Sequence, residues 1–517
     1  MKLRTAAAVS ITSAVAVLAA CTSTISGSGT ALSGSRTPSS SAPSQAKITF
    51  TDCSALFNLN ALPFPGSRAK DLSIGCGRVS VPLDYDDPSS EKVDIELVRV
   101  HDKNNTGERS LLVNPGGPGG SGVSLAVGLA AQVSDDLLAG FDIVGFDPRG
   151  VGLSDPIDCV SNQEKDDLNA MSPDVRTAAG FAEAKQAAAS VARACRTKYG
   201  DSLAQFNTVE TAKDMDRIRQ ALGEDKLDYL GFSYGTELGS TYAHLFPKSV
   251  GAFVLDGAVD PTTDPITSFA KQLGGFEGAF DQFAADCITR SPCSSLGDPR
   301  QAAMQVVDRA ASSPIPSSKS GEKRRATRSL VLTGILSALY SKSSWGQLGE
   351  SLIAARKGDS KGLLALADQY NERNDDGSYA NLYDANTTIS CNDSKPGPSD
   401  ATVRSTTTTW VKAYPMFGLW AAASLFSCQQ WQPDRTPVPL PSAATPEKVL
   451  VVGNVHDPAT PYEGAKHLVT TMGNAELLTW DGEGHTSFLS GSSCIDDKVD
   501  TYLLHGTLPP DNTTCPR

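Results

Sequence analysis

Leu227-Asp228-Tyr229-Leu230-Gly231-Phe232-Ser233-Tyr234-Gly235 is the stretch on which the reading of this chain turns. Leu227 to Leu230 has the character of a short buried strand, and a helical segment from about Tyr234 to Phe246 follows it. Between them, Gly231-x-Ser233-x-Gly235 places a serine between two residues that lack a Cβ. That spacing permits a strand-to-helix turn so tight that the serine side chain stands clear of the sheet. A five-residue pattern arises easily in a chain with 45 glycines, so the flanking strand and helix carry the weight. The pattern occurs once.

Upstream, Val93 to Val100 alternates apolar and polar residues, as a half-buried strand does. Leu111-Leu112-Val113 then leads into the glycine-rich loop Asn114-Pro115-Gly116-Gly117-Pro118-Gly119-Gly120. A second buried strand, Phe141 to Phe146, ends in Asp147-Pro148-Arg149-Gly150. From about Asp155 to Phe206 the pattern is Ala-rich and helical, and a further helix is expected around Thr211 to Leu222. With another strand at Ala252 to Leu255, this alternation predicts a mostly parallel sheet with helices on both faces. The strand rhythm is absent from about Pro261 to Pro446 and returns at Val449 to Val452 and Leu477 to Trp480. The expected organisation is a core over residues 49–260 and 447–517, with a mainly helical insertion over 261–446.

A serine nucleophile needs a base to take its proton and an acid to orient that base. On such a sheet the partners follow in the order acid, then histidine. His485, in Gly484-His485-Thr486 just past the strand ending at Trp480, is the candidate base, with His505 as the fallback. His244 falls within the helix after the serine and reads as a packing or surface residue. Asp457, after the strand Val449 to Val452, is the candidate acid, and Asp256 and Asp260 are its rivals after an earlier strand. The developing oxyanion needs fixed donors, and the backbone N–H groups of Tyr234 and Gly117 are the candidates. The glycine-rich loop lacks the following Lys of a phosphate-binding loop.

At the N-terminus, Lys2 and Arg4 precede an apolar run from Ala6 to Ala20, shorter than the roughly 20 residues a membrane-spanning helix needs. Leu18-Ala19-Ala20-Cys21 resembles a bacterial lipobox, which makes residues 1–20 an export signal and Cys21 the lipid-bearing residue. Residues 21–48, rich in Ser, Thr and Gly, read as a flexible tether. The expected location is the extracytoplasmic side of the cell membrane. Eleven cysteines leave an even ten once Cys21 is set aside, which suits an oxidising compartment. Pairing near neighbours in sequence gives Cys53–Cys76, Cys159–Cys195, Cys287–Cys293, Cys391–Cys428 and Cys494–Cys515. No Cys-x-x-Cys occurs, and no metal or cofactor is expected. A net charge of −13 without a basic stripe argues against a nucleic-acid partner.

Asn114-Pro115-Gly116-Gly117-Pro118-Gly119, Asp147-Pro148-Arg149-Gly150, Gly231-Phe232-Ser233-Tyr234-Gly235, His456-Asp457-Pro458-Ala459-Thr460-Pro461 and Gly484-His485-Thr486 occur in this order. Together they resemble the tripeptidyl aminopeptidase and proline iminopeptidase branch of the α/β-hydrolases, from about Cys53 to the C-terminus. The likeness extends to the exported actinobacterial lipoproteins of the serine-protease and carboxylesterase kind. It implies an α/β-hydrolase core, a helical cap, and release of short peptides from a peptide or protein substrate with a free N-terminus. Proline iminopeptidases usually carry His where this loop has Asn114-Pro115, which speaks against narrow proline specificity. Ile389-Ser390-Cys391-Asn392-Asp393 resembles a recurrent cap segment of the tripeptidyl branch, making Asp393 a candidate for the substrate ammonium group. Glu277 and Asp281, four apart on a helix whose Phe276, Phe280 and Phe283 turn inward, are further candidates. The alternative is a carboxylesterase or lipase using the same triad on cell-envelope esters.

Overall fold

The computed structural model describes residues 47–57, 68–105, 107, 109–442 and 445–517. The expected export signal, Cys21 and all but the end of the tether lie outside the described residues. The strands are β1 (Thr51–Asp52), β2 (Leu72–Pro82), β3 (Lys92–Asp102), β4 (Ser110–Asn114), β5 (Asp142–Phe146), β6 (Leu227–Phe232) and β7 (Val250–Asp256). Next come β8 (Ile315–Pro316) and β9 (Arg325–Ala326), which pair only with each other, then β10 (Val449–His456), β11 (Ala475–Glu483) and β12 (Thr514–Cys515). The main sheet has the order β1-β2-β3-β5-β4-β6-β7-β10-β11-β12. It is antiparallel from β1 to β5 and parallel from there on.

The parallel strands are buried on both faces, which is why they read in sequence as short continuous apolar runs. Their side chains alternate between two cores. Leu112, Tyr229, Leu255 and Val451 face one, with the helices Thr208–Leu222, Tyr234–Leu245 and Glu463–Met472. Leu111, Leu230, Val254 and Leu450 face the other, with the helices Gly122–Ala130 and Ser493–His505. The α/β-hydrolase fold expected from the sequence is the fold observed. The long β2–β3 ribbon is only half visible in the sequence, because Gly75 and Gly77 interrupt the alternation of β2. Strand β10 returns beside β7, with Leu450 opposite Val254 and Val452 opposite Asp256. The chain thus rejoins the sheet next to the strand it left.

Residues between β7 and β10 are mainly helical, with the two-residue β8–β9 pairing as the exception. Their helices enclose a separate apolar core that includes Phe276, Phe280, Phe283, Ile335 and Phe426. Phe181 and Ala184, from the helix Ala178–Tyr199, join this core, and the Phe181 and Phe426 rings meet edge to face at 4.8 Å. The cap therefore draws on two parts of the chain, not on 261–446 alone. An Ala-rich helix shows an apolar stripe in sequence but not which body that stripe packs against. All five cysteine pairs expected from sequence proximity are disulfide-bonded.

Candidate active site

Ser233 sits between β6 and the helix Tyr234–Leu245 with φ +56°, in the left-handed region that most side chains avoid. Close approach around the turn explains its glycines. A Cβ on Gly231 would lie 2.5 Å from the Gly235 carbonyl oxygen, and one on Gly235 would lie 2.9 Å from the Asn114 carbonyl oxygen. The Ser233 N–H donates to the Asp256 carbonyl at 2.9 Å, and Thr236 donates to the Ser233 carbonyl through both its N–H and its hydroxyl.

The glycine-rich loop after β4 lies against this turn. A Cβ on Gly116 would come within 2.5 Å of the Phe232 carbonyl oxygen and 2.9 Å of the Tyr234 nitrogen. Among the described residues, neither the Gly117 N–H nor the Tyr234 N–H donates to a protein acceptor. Two donors left open beside the nucleophile's turn are what an oxyanion requires.

His485 follows β11 and Asp457 follows β10, so both reach the C-terminal edge of the sheet where Ser233 stands. The His485 Nδ1 lies 2.9 and 3.0 Å from the two carboxylate oxygens of Asp457. That carboxylate is buried and also accepts the N–H groups of Ala459, Thr460 and Thr486. The Thr460 hydroxyl lies 3.3 Å from the same ring nitrogen. Burial of His485 favours its neutral form, but the charge and hydrogen bond of Asp457, with Asp256 adding, outweigh it and raise its pKa above 6.5. The cap reaches this loop directly: the His485 N–H donates to the Tyr340 carbonyl at 2.7 Å, and the Tyr340 ring meets the imidazole edge to face.

The rival acids have other partners. The Asp256 carboxylate accepts the N–H groups of Ser487 and Phe488, and burial, the leading cause, pushes its pKa up to about 7. Asp260 is paired with Lys271 at 2.7 Å and His467 at 2.9 Å. His505 is exposed at the end of its helix, and His244 lies against Ser442.

The three acids expected to meet a substrate amine are engaged within the protein. Arg300 binds Glu277 at 2.6 Å and Asp281 at 2.7 Å, and the Glu277 carboxylate also accepts the Met416 N–H. Both carboxylates are thus paired with Arg300, and the Asp281 side chain stays 68% exposed. Asp393 accepts the N–H and hydroxyl of Thr208, whose hydroxyl also contacts the Tyr234 hydroxyl. Burial, the leading cause, pushes the Asp393 pKa up to about 8. Asp393 thus braces the residue after the nucleophile.

Residues 414–515 match the family described as TAP-like protein. The chain is 37% identical to serine protease Hip1 of Mycobacterium tuberculosis over 464 residues, covering 85% of this chain and 87% of that protein. It is 40% identical over 463 residues to carboxylesterase B of the same organism, covering 85% and 86% of the two chains. It is 33% identical to tripeptidyl aminopeptidase of Streptomyces coelicolor over 484 residues, covering 91% and 86%. The chain belongs to this tripeptidyl aminopeptidase-like family of α/β-hydrolase serine hydrolases.

Proposed function

We propose that the protein is an exported, lipid-anchored aminopeptidase that releases short peptides from free N-termini through Ser233, His485 and Asp457. The pairing of His485 Nδ1 with the buried Asp457 carboxylate carries the reading, because it leaves Nε2 to serve as the base. The Ser233 hydroxyl attacks the peptide carbonyl carbon, forming a C–O bond as its proton passes to His485 Nε2. The Gly117 and Tyr234 N–H groups receive the oxyanion. Collapse breaks the C–N bond, and His485 returns the proton to the leaving amine. Water then cleaves the acyl-enzyme by the same relay. Export and anchoring rest on Lys2, Arg4, the apolar run and Cys21, and replacing Cys21 with Ser should move the protein from the membrane fraction to the soluble one.

The test is a tripeptide anilide with a free N-terminus beside its acetylated form, each with a Ser233→Ala control. Cleavage of the free form alone, lost in the variant, supports the aminopeptidase. The 40% identity to a carboxylesterase favours a second reading, action on esters. Turnover of short esters through Ser233 with no cleavage of either anilide would put that reading first.

A further inference from the structure

The helix Leu382–Asp393 lies among the residues between β7 and β10, yet its Ala385 and Ile389 are buried in a core of the main sheet together with Tyr234. Asparagines tie both its ends to earlier parts of the chain. Asn381, just before the helix, accepts the Gly152 N–H at 2.9 Å and donates to the Gly150 and Ile157 carbonyls at 2.7 and 3.0 Å. Asn392, in the last turn, is fully buried and donates to the Leu203 and Phe206 carbonyls at 2.8 and 2.9 Å. The Cys391–Cys428 disulfide fixes the same end. A helix held at both ends is a rigid spacer of defined length.

Two side chains reach from this spacer toward the two oxyanion donors. Asn386 donates to the Pro118 carbonyl at 3.0 Å, directly after Gly117. The loop packs so closely here that a Cβ on Gly119 would lie 3.2 Å from the Asn386 nitrogen. Asp393, seven residues on and therefore on the same face, accepts the Thr208 N–H at 2.9 Å and the Thr208 hydroxyl at 2.7 Å. That hydroxyl has one proton. With the proton given to Asp393, its contact with the Tyr234 hydroxyl is a bond that the tyrosine donates. Thr208 and Tyr234 are buried, so water does not compete for these bonds.

We propose that Asp393, acting through Thr208 and Tyr234, is a positioning residue for the oxyanion hole, and that the helix Leu382–Asp393 sets both donors across one rigid span. The role rests on the reading above, with Ser233 as nucleophile and the Gly117 and Tyr234 N–H groups as donors. It is not the amine-binding role expected of Asp393, because it acts on the oxyanion and is indifferent to the substrate's N-terminus.

The test measures wild type, Asp393→Leu, Asp393→Asn, Thr208→Val, the double variant Asp393→Leu with Thr208→Val, and Ser233→Ala. The substrates are p-nitrophenyl acetate and a tripeptide anilide, with rates taken per active site titrated by a fluorophosphonate. Asp393→Leu should lower kcat about 10-fold on both substrates and leave KM within about 2-fold, since a displaced donor weakens the transition state and not the ground state. Affinity for a peptide trifluoromethyl ketone, whose adduct carries the oxyanion, should fall by the same factor as kcat/KM. Thr208→Val should act alike, and it reads the same chain if Asp393→Leu fails to fold. Asp393→Asn keeps polar partners for Thr208 and should retain most of the rate. The double variant should lose no more than Asp393→Leu alone, because both changes cut one chain. A smaller titrated fraction with an unchanged rate per site would make Asp393 merely structural and overturn the assignment. Losses that add in the double variant, or inhibitor affinity that stays constant while kcat falls, would also overturn it. Turnover that survives Ser233→Ala would overturn the nucleophile reading and this inference with it.

Discussion

The carbonyl of Asp256 accepts the backbone N–H of Ser233 at 2.9 Å, while its carboxylate holds the N–H groups of Ser487 and Phe488. One residue at the end of β7 thereby sets the spacing between the nucleophile's turn and the loop carrying His485. Asp256→Asn keeps the shape but leaves one acceptor oxygen for two donors. The expected result is a fall in kcat of about 10-fold with little change in KM, since small misplacements of catalytic groups are costly. Steady-state kinetics would check this, and an unchanged kcat would show that the loop holds its place without the carboxylate. The variant should also alter the pH dependence of stability. The native state keeps the Asp256 proton up to about 7, whereas the unfolded chain loses it near 3.8. The Asp256 contribution to stability therefore declines as pH rises through that interval, and the Asn variant should lack that decline.

The raised pKa of His485 sets the acid limb of the activity profile. The base must be neutral, so kcat/KM should fall as pH drops through a midpoint above 6.5. Asp457→Asn removes the charge that holds this pKa up and also favours the wrong tautomer. The limb should move to lower pH, and kcat should fall by about 10⁴. A pH–rate profile that does not move in the variant would separate Asp457 from the base.

The triad candidates are legible in sequence because each lies in a short motif at a strand end, where the sheet's topology orders them. The choice between Asp457 and Asp256 is not decidable by pattern alone. Both follow buried strands, and only the structure shows that Asp457 meets the imidazole while Asp256 meets backbone N–H groups. Glu277 and Asp281 look free in sequence because Arg300, their partner, lies on another helix.

The cap also steadies the oxyanion loop. The Asn386 side chain, on the cap helix Leu382–Asp393, donates to the Pro118 carbonyl at 3.0 Å, directly beside Gly117. Asn386→Ala should free that carbonyl and loosen the Gly117 N–H, lowering kcat by about 10-fold, less than the roughly 10²–10³ seen when an oxyanion donor is removed outright. The effect should appear for the anilide and the ester alike, because both reactions form the oxyanion. A loss confined to the peptide would instead place Asn386 in substrate binding.

Arg149 and Asp214 form a bidentate pair with both side chains fully buried. Arg149 also donates to the carbonyls of Pro82, Leu83 and Gln205, so it ties the β2 end to the segment before the helix Thr208–Leu222. Arg149→Met strands the Asp214 carboxylate in the core with the Tyr85 hydroxyl as its remaining side-chain donor. The expected loss is about 3–5 kcal/mol, the usual consequence of breaking a buried pair from one side. Arg149→Met with Asp214→Leu removes the stranded charge and should regain part of that loss, measured by denaturant unfolding. The three orphaned carbonyls remain in both variants. A double variant no more stable than the single one would therefore mean that the carbonyl contacts, not the ion pair, are what Arg149 contributes.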